Sequence, residues 1–411
     1  MPNPFFAHEK TRFYSGRRQF FKTSLASVLG ACLPHSPALA MGGEAPLPDG
    51  AKETLFGGSR FKVRPDAPIA YAIARLDPWK RQIWRRPCGF LLHGWALHPR
   101  NPALCFFFEK EGAGAALFNL ETLETLEVLP PQGERRFYGH GAVAHDGQWL
   151  LTTETEPDGH GVIGVRDLAT LAYLGDFPSY GQNPHDCHLL EGGRVLAISN
   201  GGARFDSDGK AKEGAPCVSY VDLATRQLLS RHEMPDARFN TGHLAPLDAS
   251  PKKSSRGKTR SSPAVVVSAP RRGLGAEHLG AVSFCDGESP ELTLWQAPES
   301  LTPPLLGEAL SVLALTEQNL AIVTHPTPGL LTLWQLNSGK FLRALPAPSA
   351  RGLALSADKK RVWVSYSEKG GRPLLGSLDL RADNAELQPV FYDAMLSGSH
   401  LLNRPLRLAQ K

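Results

Sequence analysis

The stretch HGWALHPRNPALCFFFE, residues 93–109, decides the fold because it returns along the chain. It comes back as HGAVAHDGQWLLTTE at 140–154 and as HDCHLLEGGRVLAISN at 185–200. Looser copies are HLAPLDAS followed by SPAVVVSA (243–250 and 262–269), SVLALTEQNLAIVTH (311–325) and RGLALSADKKRVWVSYS (351–367). Each copy has one grammar. A lead residue opens a short apolar strand, a polar turn follows, and a second strand ends in a polar residue. A hairpin then completes each unit, marked by the turn Asp-Leu-Ala-Thr at Asp167 and again at Asp222. Four alternating apolar runs per unit make a four-stranded antiparallel blade.

Units of this kind, repeated every ~40–70 residues, predict a β-propeller. The leads His93, His140, His185, His243, Ser311 and Arg351 give six units. A hairpin at 68–86 has no first strand of its own. The C-terminal stretches Val390-Phe-Tyr-Asp and Ser399-His-Leu-Leu-Asn are expected to close it as a seventh blade, leaving no open sheet edge. The fold class is thus all-β, a seven-bladed propeller over residues 61–411, closed by strands from both chain ends. Two separate sandwiches are the rival, disfavoured because no linker divides the chain. The Ser/Lys/Arg-rich segment 249–262 reads as a mobile surface insertion.

The N-terminus reads differently. Residues 1–40 carry Lys10, Arg12, Arg17, Arg18 and Lys22 against Glu9, so +4 of the formal +5 net charge sits there. With so little charge elsewhere, a nucleic-acid footprint is not indicated. Arg17-Arg18, the apolar run 23–33 and Ala38-Leu39-Ala40 have the order of an export signal of the twin-arginine type. Gly16 and Phe21 depart mildly from that type. The expected location is periplasmic, after passage through the twin-arginine export machinery. Leu29-Gly-Ala-Cys32 is a competing lipoprotein box. Residues 41–60 read as a polar, glycine-rich lead-in, and no run is long and apolar enough to span a membrane. Five cysteines follow Ala40, with no CxxC pair, so haem attachment, zinc ribbons and iron–sulfur ligation have no support. No P-loop, dinucleotide glycine pattern or serine nucleophile elbow is present either.

His140-Gly with Asp146-Gly, Thr152-Thr-Glu154, Gly161-Val-Ile-Gly-Val, Pro184-His185 and Ser199-Asn200-Gly-Gly resemble an exported propeller family, domain of unknown function 1513. That family is similar in fold to YVTN-type and amine-dehydrogenase heavy-chain propellers. The resemblance extends over essentially everything after residue 60, most specifically over 137–202. Where the family usually has Glu after Pro-His, this chain has Asp186. The resemblance implies a periplasmic protein, often encoded beside imelysin-like iron-uptake proteins as partners. It implies no established reaction.

Repeat register sets the chemistry. The first strand of a propeller blade lies innermost, so the leads His93, His140, His185 and His243, with Ser311 and Arg351, should ring one mouth of the channel. Glu109, Glu154, Asn200, Arg271 and His325 should lie further out on that face. Three readings follow. Neutral imidazoles with Glu154, backed by Asn200, suit iron, copper or zinc. The same cluster suits a lactonase-like hydrolase or an oxidoreductase. A platform for a partner protein or an anion would use Arg351 and Arg271. Against all three stands a purely structural role between blades. The favoured reading is a binding or accessory protein in metal handling rather than an enzyme. His98 and His145 read as turn residues, His160 and His278 as loop residues, and His188, His325 and His400 are individually weak signals.

Overall fold

The computed structural model describes residues 53–64, 66–144, 146–204, 214–247, 261–301, 305–368, 371–382, 384–394, 396 and 400–405. The leader with Arg17, Arg18 and Cys32, His145 and most of the basic insertion lie outside them. The described strands form seven four-stranded antiparallel sheets arranged in a ring. Blades 1 to 6 follow in chain order and open with Leu92–Leu97, Arg136–Val143, Pro184–Leu190, Leu244–Pro246, Val312–Leu315 and Leu353–Leu355. Among the described residues no helix is long and apolar enough to cross a membrane.

Blade 7 takes its strands from both ends of the chain, in the order Leu402–Pro405, Glu53–Lys62, Ile69–Asp77, Gln82–Cys88. This corrects two expectations. Residues 53–60 are not a polar lead-in but the second strand of that blade. Their glycines read as loop because what demands them is packing: a Cβ on Gly58 would meet the Leu92 carbonyl oxygen of blade 1 at 2.4 Å. Val390-Phe391-Tyr392 does not close the ring but belongs to the outer strand of blade 6.

Ring closure is visible in the core. Seven apolar clusters each bridge one pair of neighbouring blades. Leu55, Leu76 and Trp363 join blades 7 and 6, and Phe56, Ile73 and Phe107 join blades 7 and 1. Burying a side chain of this size contributes about 1.5–3 kcal/mol.

A hydroxyl residue just before the end of the second strand in blades 2, 3 and 5 has a physical reason. Thr153 Oγ1 accepts the N–H of His140 at 3.1 Å and lies 3.4 Å from the His185 carbonyl in the next blade. Ser199 Oγ accepts the Asp186 N–H at 3.0 Å and donates to the Gly242 carbonyl. Thr324 Oγ1 accepts from Ser311 N at 3.0 Å and donates to the Arg351 carbonyl at 2.9 Å. One hydroxyl therefore ties a lead strand to the lead of the following blade. The Asp-Leu-Ala-Thr turns are Asx turns: Asp167 Oδ1 accepts from Ala169 N and Thr170 N, and Asp222 Oδ1 from Ala224 N and Thr225 N.

Glu53 latches the closure. Its carboxylate accepts Trp363 Nε1 at 2.9 Å and Ala357 N at 2.7 Å from blade 6, and the Asn403 amide from the closing strand. Glu53→Ala would leave the buried Trp363 Nε1 and the half-buried Ala357 N without their acceptor and cost Asn403 one of its two. It should lower stability by about 1–3 kcal/mol, read as an earlier urea midpoint. An unchanged midpoint would remove Glu53 from the closure.

Candidate metal centre

Three of the four lead histidines sit in breaks of strand register. The pairing of first and second strands is interrupted between Leu92 and Trp95, between Phe137 and Gly141, and between Pro184 and Cys187. Bulges of this kind re-aim a side chain. Here they turn His93, His140 and His185 toward the axis. His243 directly precedes the first strand of blade 4. The flanking glycines allow the lead strands to come this close. A Cβ on Gly94 would meet the Gly139 carbonyl oxygen at 2.4 Å and His140 Nδ1 at 2.6 Å. Gly139 itself has φ +125° and lies against the His185 and His93 rings.

The four imidazoles converge as the repeat register predicted, and all are buried. One nitrogen from each lies within 4.8 Å of the other three. His93 Nε2 is 3.2 Å from both His185 Nε2 and His243 Nε2, and the latter two are 2.9 Å apart. A fifth imidazole joins them: His400 Nε2 is 2.9 Å from His243 Nε2. His400 stands two residues before the closing strand, which makes it the lead of blade 7. The sequence reading places Ser399-His-Leu-Leu-Asn in the closing blade but counts six leads and weighs His400 as a weak signal, because its unit is divided between the chain ends. A lead histidine two residues before Leu402-Asn403 was the signal available.

Hydrogen bonding on the far side of each ring fixes what points inward. His185 Nδ1 donates to the Tyr138 carbonyl at 2.9 Å, and His243 Nδ1 to the Leu310 carbonyl. His140 Nδ1 donates to Asp186 Oδ1 at 3.0 Å. In a neutral imidazole the other nitrogen then carries a lone pair. Three lone pairs are thus aimed into one buried space, and His140 Nε2 has no protein partner there. Asp186 also accepts from Cys187 N, Leu244 N and, at 3.2 Å, His188 Nε2. Burial opposes its charge, but His140 and His188 hold its carboxyl well below the usual range.

Burial, and then the neighbouring imidazoles, push His93 well below the ordinary histidine value; burial does the same to His243 and His140, the latter against the pull of Asp186. Burial, with the charge of Lys110 behind it, takes His185 to about 3, and burial takes His400 to about 4. Near neutral pH these rings are uncharged, the form that binds metals. Beside them lies a cavity of about 90 Å³ walled by His185, His243, Tyr138, Lys110, Arg272 and Glu308.

The other predicted site residues lie elsewhere. Glu154 is inside blade 2, where Arg166 Nη1 at 2.8 Å and Thr152 Oγ1 at 2.7 Å donate to it, so it is not a ligand of the cluster. Asn200 bridges blades 2 and 3 through Ser179 and Ser219 and does not back the cluster. Arg271 binds the Ala203, Ala237 and Gly214 carbonyls as a loop clamp. Glu109 caps its own hairpin at Gly114 N, and His325 bonds Thr332 within blade 5. Arg351 does reach the mouth, 3.9 Å from Glu308 of the cavity wall. The five described cysteines are all free.

Two outcomes are expected. Gly94→Ala forces the Gly139 carbonyl and His140 apart, so thermal unfolding should move down by several degrees; a wild-type curve would show that the approach is not tight. Metal-stripped protein should lose stability on acidification. Its histidines stay neutral when folded but protonate near pH 6.5 when unfolded, so the unfolded state binds more protons below that pH. Between the folded and unfolded values each contributes a slope of up to about 1.4 kcal/mol per pH unit, so the stability is fully present above pH 6.5 and is lost as pH falls toward 4 and 3. A flat melting temperature from pH 6.5 to 4 would contradict it.

Comparison with known proteins agrees with the fold and gives the family. The solved structure of Kuenenia stuttgartiensis hydrazine synthase is similar over 78% of this chain and 91% of that one, with a TM-score of 0.50 and 9% identity. At that identity the likeness is one of fold alone. No curated protein matches the sequence. Residues 90–396, blades 1 to 6 with four of the five clustered histidines, match a family model, and the chain accordingly belongs to the family described as Protein of unknown function (DUF1513).

Proposed function

We propose that this chain is an exported metal-binding propeller that holds one first-row transition-metal ion among His93, His140, His185 and His243, with His400 beside them. The observation that carries this is the set of inward lone pairs. His185 Nε2 and His243 Nε2 are 2.9 Å apart while both Nδ1 atoms donate outward. Two acceptors at that distance repel unless a cation or a proton lies between them, and burial disfavours the proton. The outward bonds to carbonyls and to Asp186 are also the arrangement that orients metal-binding histidines.

Nitrogen spacing is compatible with a bound ion. At a metal–nitrogen bond of roughly 2.0–2.1 Å, separations of 2.9–3.2 Å correspond to angles of about 87–106° at the ion. These run from the cis angle of a six-coordinate site to just below the tetrahedral angle. Imidazole-rich sites in that range suit iron, copper or zinc. The role in view is accessory binding in periplasmic metal handling, iron uptake included, with twin-arginine export delivering the folded chain. The cavity at the cluster also suits Lewis-acid chemistry on a small substrate, and turnover of a lactone or ester lost in His140→Ala would mark that reading.

Protein exported and purified without a histidine tag should carry about one transition-metal ion per chain by mass spectrometry. The His140→Ala/His185→Ala variant should carry less than a tenth of that. Absence of metal from wild type, with no thermal shift on adding iron, copper or zinc, would leave the histidines as inter-blade structure.

A further inference from the structure

One blade is charged unlike the others. Residues 53–88 carry eight Lys and Arg against Glu53, Asp66 and Asp77, while residues 89–129 carry only Arg100 and Lys110 against five Glu. Beyond residue 40 the formal charge is +1 in all, so this stretch is basic and the remainder of the ring is net acidic. The basic blade also reaches further. Its strands Glu53–Lys62 and Ile69–Asp77 form a hairpin. The closing strand pairs only with Glu53–Phe56, and the outer strand ends opposite Tyr71. The pairs Phe61–Ala70 and Lys62–Ile69 therefore stand beyond both flanking strands, joined by a turn in which Ala67 N donates to the Arg64 carbonyl at 3.0 Å. The hairpin leaves the ring on the histidine side. A Cβ on Gly57 would meet the His400 carbonyl oxygen at 3.2 Å, and one on Gly58 the Leu92 carbonyl oxygen, just before His93. Four more residues, at ~3.3 Å each, carry the strand ~13 Å outward to Lys62.

The tip is cationic and apolar together. Val63 is 74% and Ile69 48% accessible. Arg60, Lys62 and Arg64 are exposed around them, with Asp66 3.8 Å from Arg64. Arg85 has no carboxylate partner among the described residues and lies over the Phe61 ring at 5.1 Å, adding its charge from the outer strand. A single exposed apolar side chain needs no explanation. Two of them on a projecting tip among cations have the pattern of a group that meets an anionic lipid interface: apolar atoms enter the boundary and the charges stay with the headgroups. An acidic protein surface would match the charges but not the apolar side chains. We propose that the hairpin tip at 60–69 docks the propeller on an anionic phospholipid surface. Docked this way, the mouth faces the lipid, and docking needs no metal at the histidines.

The test uses the processed chain from Met41, so that the leader contributes nothing. Its co-sedimentation with phosphatidylcholine vesicles and with mixed phosphatidylcholine–phosphatidylglycerol vesicles is measured at low and at physiological salt. Binding is expected to the mixed vesicles only, and it should weaken with salt. Lys62→Gln/Arg64→Gln should weaken it more than tenfold, since each basic residue near such a surface contributes about fivefold. Val63→Ser should weaken it severalfold. Lys359→Gln, on the exposed turn between the first two strands of blade 6, should bind like wild type. Unchanged melting curves would show that lost binding is not lost fold. Failure of the wild type to sediment with the mixed vesicles overturns the inference, as does equal sedimentation of wild type and the Lys62→Gln/Arg64→Gln variant. Binding to soluble polyglutamate without binding to vesicles overturns it as well, in favour of an acidic protein partner.

Discussion

Inward lone pairs on facing imidazoles are the constraint around which the head of this ring is built. Five rings share one small space, each held from behind or by a neighbour, and none can turn away without losing a buried hydrogen bond. That arrangement needs lead strands closer together than ordinary residues allow. Gly94 and Gly139 supply the room, and the register breaks in blades 1, 2 and 3 supply the direction. The hydroxyls of Thr153 and Ser199 then fix the bulged backbone to the next blade. Each link is local, but together they transmit the position of one histidine to the next around the ring.

How much of this could be read in the sequence follows from where period-two alternation applies. The repeat exposed the blades and their leads, and four histidines at equivalent positions pointed to one axis. Glu154 and Asn200 were placed on the wrong side by one residue. Thr153 and Ser199 face the lead strand, so their neighbours face the opposite side of the blade, where Arg166 and Ser179 hold them. His400 was underweighted because its blade has no continuous sequence: its first strand is Leu402–Pro405 and its second begins at Glu53. The strand at 53–62 escaped for a related reason. Gly57 and Gly58 read as loop, and only the packing of Leu396 and Leu92 against them shows why they belong in a strand.

Asp186 shows what the repeat could not express. It occupies the bulge between Pro184 and Cys187 and binds backward to His140, forward to Leu244 N and along its own strand to His188. Those partners belong to blades 2, 4 and 3. The short Asp side chain suits a carboxylate that must reach both imidazoles from one strand position.

The placement of His400 has a consequence for stability. Four of the clustered imidazoles come from consecutive blades, while the fifth precedes the strand that closes the ring. That strand is short, four residues, and is latched through Asn403 to Glu53 and the Leu355 carbonyl. An ion bound by both sets would join the last strand to blades 1 to 4 across the axis, where no sheet pairing connects them. Binding energy that exists only in the closed ring adds to the stability of the closed ring. The site therefore depends on closure for its fifth ring, and closure gains from whatever occupies the site. In this fold the head of the channel brings the lead histidines of blades 1 to 4 together with the residue before the closing strand.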